Sequence, residues 1–183
     1  GQLSFYGAYH NNHTNVLIHT VFVPTLVFTA LVCMAALPPL AATPAAVPEA
    51  LRGALAANVP LVLVLAYAAY YVLLEPVAGA SFSALLLCMW MAANAWHAAA
   101  GRDAVVAAAG LHVLAWAFQF LGHGVFEGRK PALLDNLLQS LVLAPLFVWL
   151  HVLFACGYRK DLEADVQALV DEKLAALRGK KAQ

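Results

Sequence analysis

Apolar stretches of roughly twenty residues recur along this sequence, and that recurrence limits the folds open to it more than any other feature. Five stand out: Val16–Leu37, Val59–Leu74, Val77–Ala99, Ala104–Leu121 and Leu137–Cys156. A run of this kind can cross a hydrocarbon core of roughly 30 Å. No water is available there to satisfy an open backbone, so each run must close its hydrogen bonds internally, as a helix. Composition agrees: 63% of the 183 residues are hydrophobic and 11% are charged, against roughly 25% charged in a soluble domain. The expected fold is all-α: a polytopic helical membrane protein with four to five transmembrane helices and a C-terminal amphipathic helix.

The connections have distinct characters. Glu75-Pro76 leaves room only for a tight hairpin, and Gly101-Arg102-Asp103 makes a turn. Pro38–Pro48 is Pro- and Ala-rich and reads as a loop. Gly122–Asn136 joins two apolar runs yet is dense in glycine and charge. Polar, irregular backbone near membrane depth belongs where it lines a cavity or is covered by protein. After Gly157, Tyr158, Leu162, Val166, Leu169, Val170, Leu174 and Leu177 recur at helical spacing among charged residues. They predict an amphipathic helix lying on the membrane or on the protein. Residues 1–157 are thus expected to form the membrane domain and 158–183 an amphipathic tail. The polar stretch before the first run holds no Lys or Arg and does not read as a signal peptide. Basic residues do not fix an orientation. Arg129 and Lys130 precede the fifth run and Arg159 and Lys160 follow it, which five full crossings would place on opposite sides. Four spans with both termini on one side is the alternative. The localisation expected is integral to a membrane: the inner membrane in a bacterium, the endoplasmic reticulum in a eukaryote.

Ten basic residues balance ten acidic ones, with no basic stripe, so nucleic acid is not an expected partner. Cys33, Cys88 and Cys156 sit within or at the end of apolar runs without CxxC spacing, and read as small buried hydrophobes.

Seven histidines remain: His10, His13, His19, His97, His112, His123 and His151. Ionisable groups in membrane segments are expensive, and function is their default explanation. If the intervening runs all cross, the start of the first and the end of the fourth share a membrane face. That brings His10, His19, His123 and Glu127 to one side and His97 to the other. Neutral imidazoles converging there make a site for iron, zinc or copper. In straight helices His112 and His123 stand roughly 16 Å apart, and His10 and His19 roughly 13 Å. Sharing one ion therefore requires the chain to break. Gly122 and Gly124 permit a break at His123, and Asn11-Asn12-His13-Thr14-Asn15 permits a capped turn after His10. His13 reads as a surface residue, His97 as interfacial and His151 as hydrogen-bonded to a neighbouring helix. Glu127 can ligate, orient His123, or pair with Arg129 or Lys130. Tyr6, Tyr9 and the tryptophans fit an interfacial belt better than a substrate groove.

Two blocks carry a resemblance. Phe5-Tyr6-x-x-Tyr9-His10, followed by Asn15-Val16-Leu17-Ile18-His19-x-x-Phe22-Val23-Pro24, is the first. The second runs from Trp116-x-x-Gln119-Phe120-x-Gly122-His123-Gly124-Val125-Phe126-Glu127 through Pro131-Ala132-Leu133 to Asp135-Asn136-Leu137-x-Gln139-Ser140. Together they resemble a membrane family first grouped as a domain of unknown function. Its characterised eukaryotic members are 2-hydroxy fatty acid dioxygenases of the endoplasmic reticulum, active in fatty acid α-oxidation and phytosphingosine breakdown. The resemblance implies Fe(II) as cofactor and O₂ as co-substrate. It implies a 2-hydroxy fatty acid, presented from membrane lipid, as the molecule shortened by one carbon. It maps the metal ligands to His10, His19 and His123, and also to His112, which lies outside the strongest blocks. On that reading Glu127 is the candidate catalytic carboxylate, and Arg129 or Lys130 is expected to hold the substrate carboxylate. Two other readings compete: haem held axially by His112 and His151, and a non-catalytic lipid-binding protein.

Overall fold

The computed structural model describes residues 2–128 and 137–181. Arg129 and Lys130 lie outside the described residues, so their expected contact with a substrate carboxylate has no structural counterpart here. Within the described residues every regular element is helical. These are α1 (Gln2–Tyr9), α2 (His13–Ala35), α3 (Glu49–Arg52), α4 (Val59–Leu74), α5 (Pro76–Ala100), α6 (Arg102–Leu121), α7 (Leu137–Ala155) and α8 (Lys160–Lys181). A π-helical segment, Gly122–Glu127, continues α6 without a gap.

Among the described residues three helices are long and apolar enough to cross a bilayer: His13–Ala35, Pro76–Ala100, and α6 with its π extension, Arg102–Glu127. A fourth qualifies only if α7 and α8, bent by 119° at their junction, count as one broken span. The helix Val59–Leu74 has the bounds the sequence suggests, but at 16 residues it is shorter than the roughly 20 that a span needs. The apolar side chains left outward fit a lipid environment. Leu73, Val113 and Val106 are 83%, 70% and 61% exposed, which water would oppose and acyl chains would cover. Two of the cysteines follow the same logic. Cys88 and Cys156 face outward rather than into a core, and Cys33 is half-buried; all three are free.

The chain divides into two compact units, residues 23–117 and residues 1–22 with 118–183. In the first, α4 and α5 form the expected hairpin at Glu75-Pro76. The Glu75 carboxylate caps α5 by accepting from the Ala78 N–H, while its own N–H donates to the Tyr71 carbonyl. Gly79 has to be glycine, because a Cβ would run into the Tyr71 carbonyl. Buried polar groups here are paired. Asn58 donates to Asn94 at 2.7 Å and accepts from the Trp90 indole at 3.1 Å, and Asn94 donates to the Ala54 carbonyl at 3.2 Å.

In the second unit α8 is packed on α1. Val170 and Leu174, from its apolar stripe, are buried. A Cβ on Gly7 would come within 2.7 Å of the Val170 methyl, so the two helices approach through a missing side chain. Lys173 Nζ donates to Ser4 Oγ at 3.0 Å across the same contact. At the α7–α8 junction, Lys160 Nζ donates to the Phe154 carbonyl at 2.6 Å, satisfying one of the carbonyls a helix end leaves open.

Candidate metal centre

Three histidines from three separate elements meet in the second unit. His10 follows the end of α1, His19 lies in α2, and His123 lies in the π segment. Their ring centroids are 4.3 Å (His10–His19), 4.8 Å (His10–His123) and 4.7 Å (His19–His123) apart, each pair edge-on. One nitrogen from each falls within 4.8 Å of the others. Nitrogens sharing a first-row ion at roughly 2.0–2.1 Å stand no more than about 4.2 Å apart, so only a small adjustment separates this cluster from a ligand set.

Local sequence explains the convergence. The helix started by α1 stops at His10 because Asn12 takes over as a cap. Its side-chain oxygen accepts from the N–H groups of Thr14 and Asn15 at 2.9 and 3.3 Å, which starts α2 in a new direction. His10 thereby folds back toward His19, as the asparagine-rich turn suggests. On the other side the break that Gly122 and Gly124 permit does not occur. The helix widens into π turns instead, which carry one extra residue per turn and re-aim side chains without interrupting the chain. Gly128, with φ of +63°, then closes the segment by donating its N–H to the His123 carbonyl.

The hydrogen bonds fix which nitrogens are free. His10 Nδ1 faces the Tyr6 carbonyl at 2.9 Å, and His19 Nδ1 faces the Asn15 carbonyl at 2.9 Å. A carbonyl only accepts, so both Nδ1 atoms carry hydrogen and both Nε2 atoms keep a lone pair. This is the arrangement by which backbone carbonyls orient metal-binding imidazoles. His10 Nε2 and His123 Nδ1 are buried without a hydrogen-bond partner. A buried orphan of that kind is costly unless something else completes it. His10 is held neutral: burial, then the nearness of His19, press its pKa well below the ordinary imidazole range, against the pull of the Tyr6 carbonyl. Two imidazoles with free Nε2 lone pairs, and the unpartnered Nδ1 of His123 beside them, suit Fe(II), Zn or Cu, and a set of three leaves coordination positions open.

Glu127 does not belong to the trio. Its Oε1 accepts from the Asn11 N–H at 3.1 Å, and its Oε2 from the Asn12 N–H and the Asn15 side chain, each at 3.0 Å. It thus ties the π segment to the turn between His10 and His19. Gly122 makes this closeness possible, since a Cβ there would collide with Asn15 Oδ1. Asn15, fully buried, and Gly122 are positioning residues that a search for ligand types passes over.

The remaining histidines lie elsewhere. His112 belongs to the other unit, and both its nitrogens are engaged. Nε2 accepts from the Trp116 indole at 3.0 Å, so the hydrogen is on Nδ1, which donates to Thr29 Oγ1 at 2.8 Å. The hydroxyl of Thr29 in turn donates to the Thr25 carbonyl at 2.8 Å. No lone pair on His112 is left for a metal or a haem. His13 is exposed and His97 half-buried at the end of α5. His151 is exposed but lines a pocket that also reaches His10 and His19.

The chain is 36% identical over 177 residues to the 2-hydroxy-palmitic acid dioxygenase MPO1 of Saccharomyces cerevisiae, a match that covers 97% of this chain and 92% of that one. No solved structure matches it. The family model described as 2-hydroxy-palmitic acid dioxygenase Mpo1-like matches residues 1–156, which contain all three clustered histidines and Glu127. This chain belongs to the 2-hydroxy-palmitic acid dioxygenase Mpo1-like family.

Proposed function

We propose that the protein is an Fe(II)-dependent dioxygenase that converts a 2-hydroxy fatty acid to the acid one carbon shorter. The observation that carries the reading is the trio His10, His19 and His123, with two buried ring nitrogens that nothing else satisfies, in a chain of this family. The net reaction balances without a further reductant. The 2-hydroxyl carbon becomes a carboxyl, the old carboxyl leaves as carbon dioxide, and the electrons released equal those that reduce one O₂, with one water formed.

Fe(II) held by His10, His19 and His123 would supply a redox centre for O₂ chemistry next to the substrate, with the gain of proximity and orientation. The protein does the rest. His10, His19 and His123 hold the ion, while the Tyr6 and Asn15 carbonyls hold two of the rings in the metal-binding tautomer. Glu127 and Asn15 hold the two chain segments in register. The adjoining pocket, lined mainly by side chains such as Val16, Phe147, Leu150 and Phe154, offers the apolar walls an acyl chain needs. His19 sits six residues into one candidate span and His123 four residues from the end of another, so the site lies toward a membrane face where a fatty acid head group resides.

Purified protein, loaded anaerobically with Fe(II) and then exposed to air with 2-hydroxypalmitate, is expected to yield pentadecanoic acid by mass spectrometry. Absence of that product from iron-replete, folded protein overturns the substrate assignment.

A further inference from the structure

The pocket beside the trio contains one group for which the metal centre has no use. Tyr6 lines it together with His10, His19, Phe147, Leu150 and Phe154. The Tyr6 ring is locked in place. It stacks on His10 with centroids 3.8 Å apart and planes 15° from parallel, and it meets Phe147 at 5.0 Å. Its hydroxyl is buried and has no hydrogen-bond partner. Buried tyrosine hydroxyls ordinarily find a partner. A hydroxyl fixed beside a ligand pocket and left empty-handed is a donor prepared for a ligand.

The lining also shows what that ligand must bring. Among the described residues around the pocket none is Lys or Arg. Thr20, another lining residue, already gives its hydroxyl proton to the Val16 carbonyl at 2.9 Å. Among the described residues a carboxylate entering here therefore meets neither lysine nor arginine, which leaves the Tyr6 hydroxyl and the His151 ring, together with the metal, to hold it. We propose that the Tyr6 hydroxyl donates a hydrogen bond to the carboxylate of the 2-hydroxy fatty acid and so sets the substrate's head group beside His10. This inference rests on the functional reading above. The rigid stacking means that no side-chain entropy is lost when the bond forms, and the neighbouring apolar walls take the first part of the acyl chain.

The test is equilibrium binding rather than turnover. Full-length protein in detergent is loaded with Zn(II), which is redox-inert, and titrated with 2-hydroxypalmitate by calorimetry. Tyr6→Phe removes only the oxygen and leaves the stacking intact, so zinc content is expected to be unchanged. Affinity for 2-hydroxypalmitate is expected to fall about 10- to 100-fold, as for one hydrogen bond to a charged acceptor. Hexadecane-1,2-diol, which lacks the carboxylate, is expected to bind both forms equally. Equal affinity of the two forms for 2-hydroxypalmitate overturns the proposal, as does an equal loss for the diol, or no binding by the zinc-loaded wild type. If Tyr6→Phe does not accumulate, 3-fluorotyrosine labelling replaces it. The Tyr6 fluorine resonance should shift with 2-hydroxypalmitate and not with the diol, and no shift is again fatal. A wild type that binds the acid through Tyr6 yet yields no shortened product overturns the dioxygenase reading alone.

Discussion

At Glu127 three N–H groups converge on one carboxylate, two from the backbone at Asn11 and Asn12 and one from Asn15. Glutamine in its place keeps the shape but offers one acceptor oxygen instead of two. Glu127→Gln is expected to lose at least one charge-assisted bond, each worth about 1.5–3 kcal/mol, and to weaken metal affinity about 10- to 100-fold. Competitive metal titration and thermal denaturation check both; an unchanged affinity contradicts the positioning role. Gly122 and Gly124 make a paired experiment. Gly122→Ala drives a methyl into Asn15 Oδ1, whereas a Cβ on Gly124 meets nothing within 4 Å. The first is expected to abolish stoichiometric metal binding and the second to preserve it. The clustered histidines are legible in sequence because ionisable side chains inside or beside apolar runs are conspicuous. Asn15, Gly122 and Tyr6 are not, because their roles depend on which atoms go unpaired or come too close after folding. His112 is conspicuous for the same reason as the trio, yet Trp116 and Thr29 use up both its nitrogens.

Among the elements, the long helices follow directly from apolar runs, and α4 has the bounds the sequence suggests. The helix α1 is the exception. Its buried residues are Ser4 and Ala8, and Gly7 meets Val170, all too small to register as a hydrophobic stripe. Its partner α8 carries the large residues, so the stripe is visible on one side of the contact only. The asparagine turn is readable because asparagine prefers caps to helix interiors. The π widening is not, since glycine next to His123 permits a break as readily as a bulge. Because α8 holds the helix that leads into His10, its effect reaches the metal centre. Gly7→Val, which places bulk against Val170 Cγ2, is expected to lower metal affinity and to expose the α7–α8 junction to limited proteolysis. Normal affinity in that variant would show that α1 keeps its place without α8.

For the molecule as a whole, the solvent of its surface decides the rest. Among the described residues, three helices that can each span a bilayer, and outward side chains such as Leu73 and Val113, predict retention in the membrane pellet after alkaline carbonate washing. Release into the supernatant would contradict integral insertion. Metal also belongs to this scale, because His10, His19 and His123 come from separate elements, and an ion that joins them contributes to folding as well as chemistry. Metal content in purified wild type and in His10→Ala, His19→Ala, His123→Ala and the exposed His13→Ala, measured alongside helicity, tests the proposed centre most directly. Stoichiometric iron is expected in wild type and His13→Ala, and a loss of at least tenfold in each of the other three at comparable helicity. Full iron occupancy in those three folded variants would contradict the assignment of these histidines as its ligands.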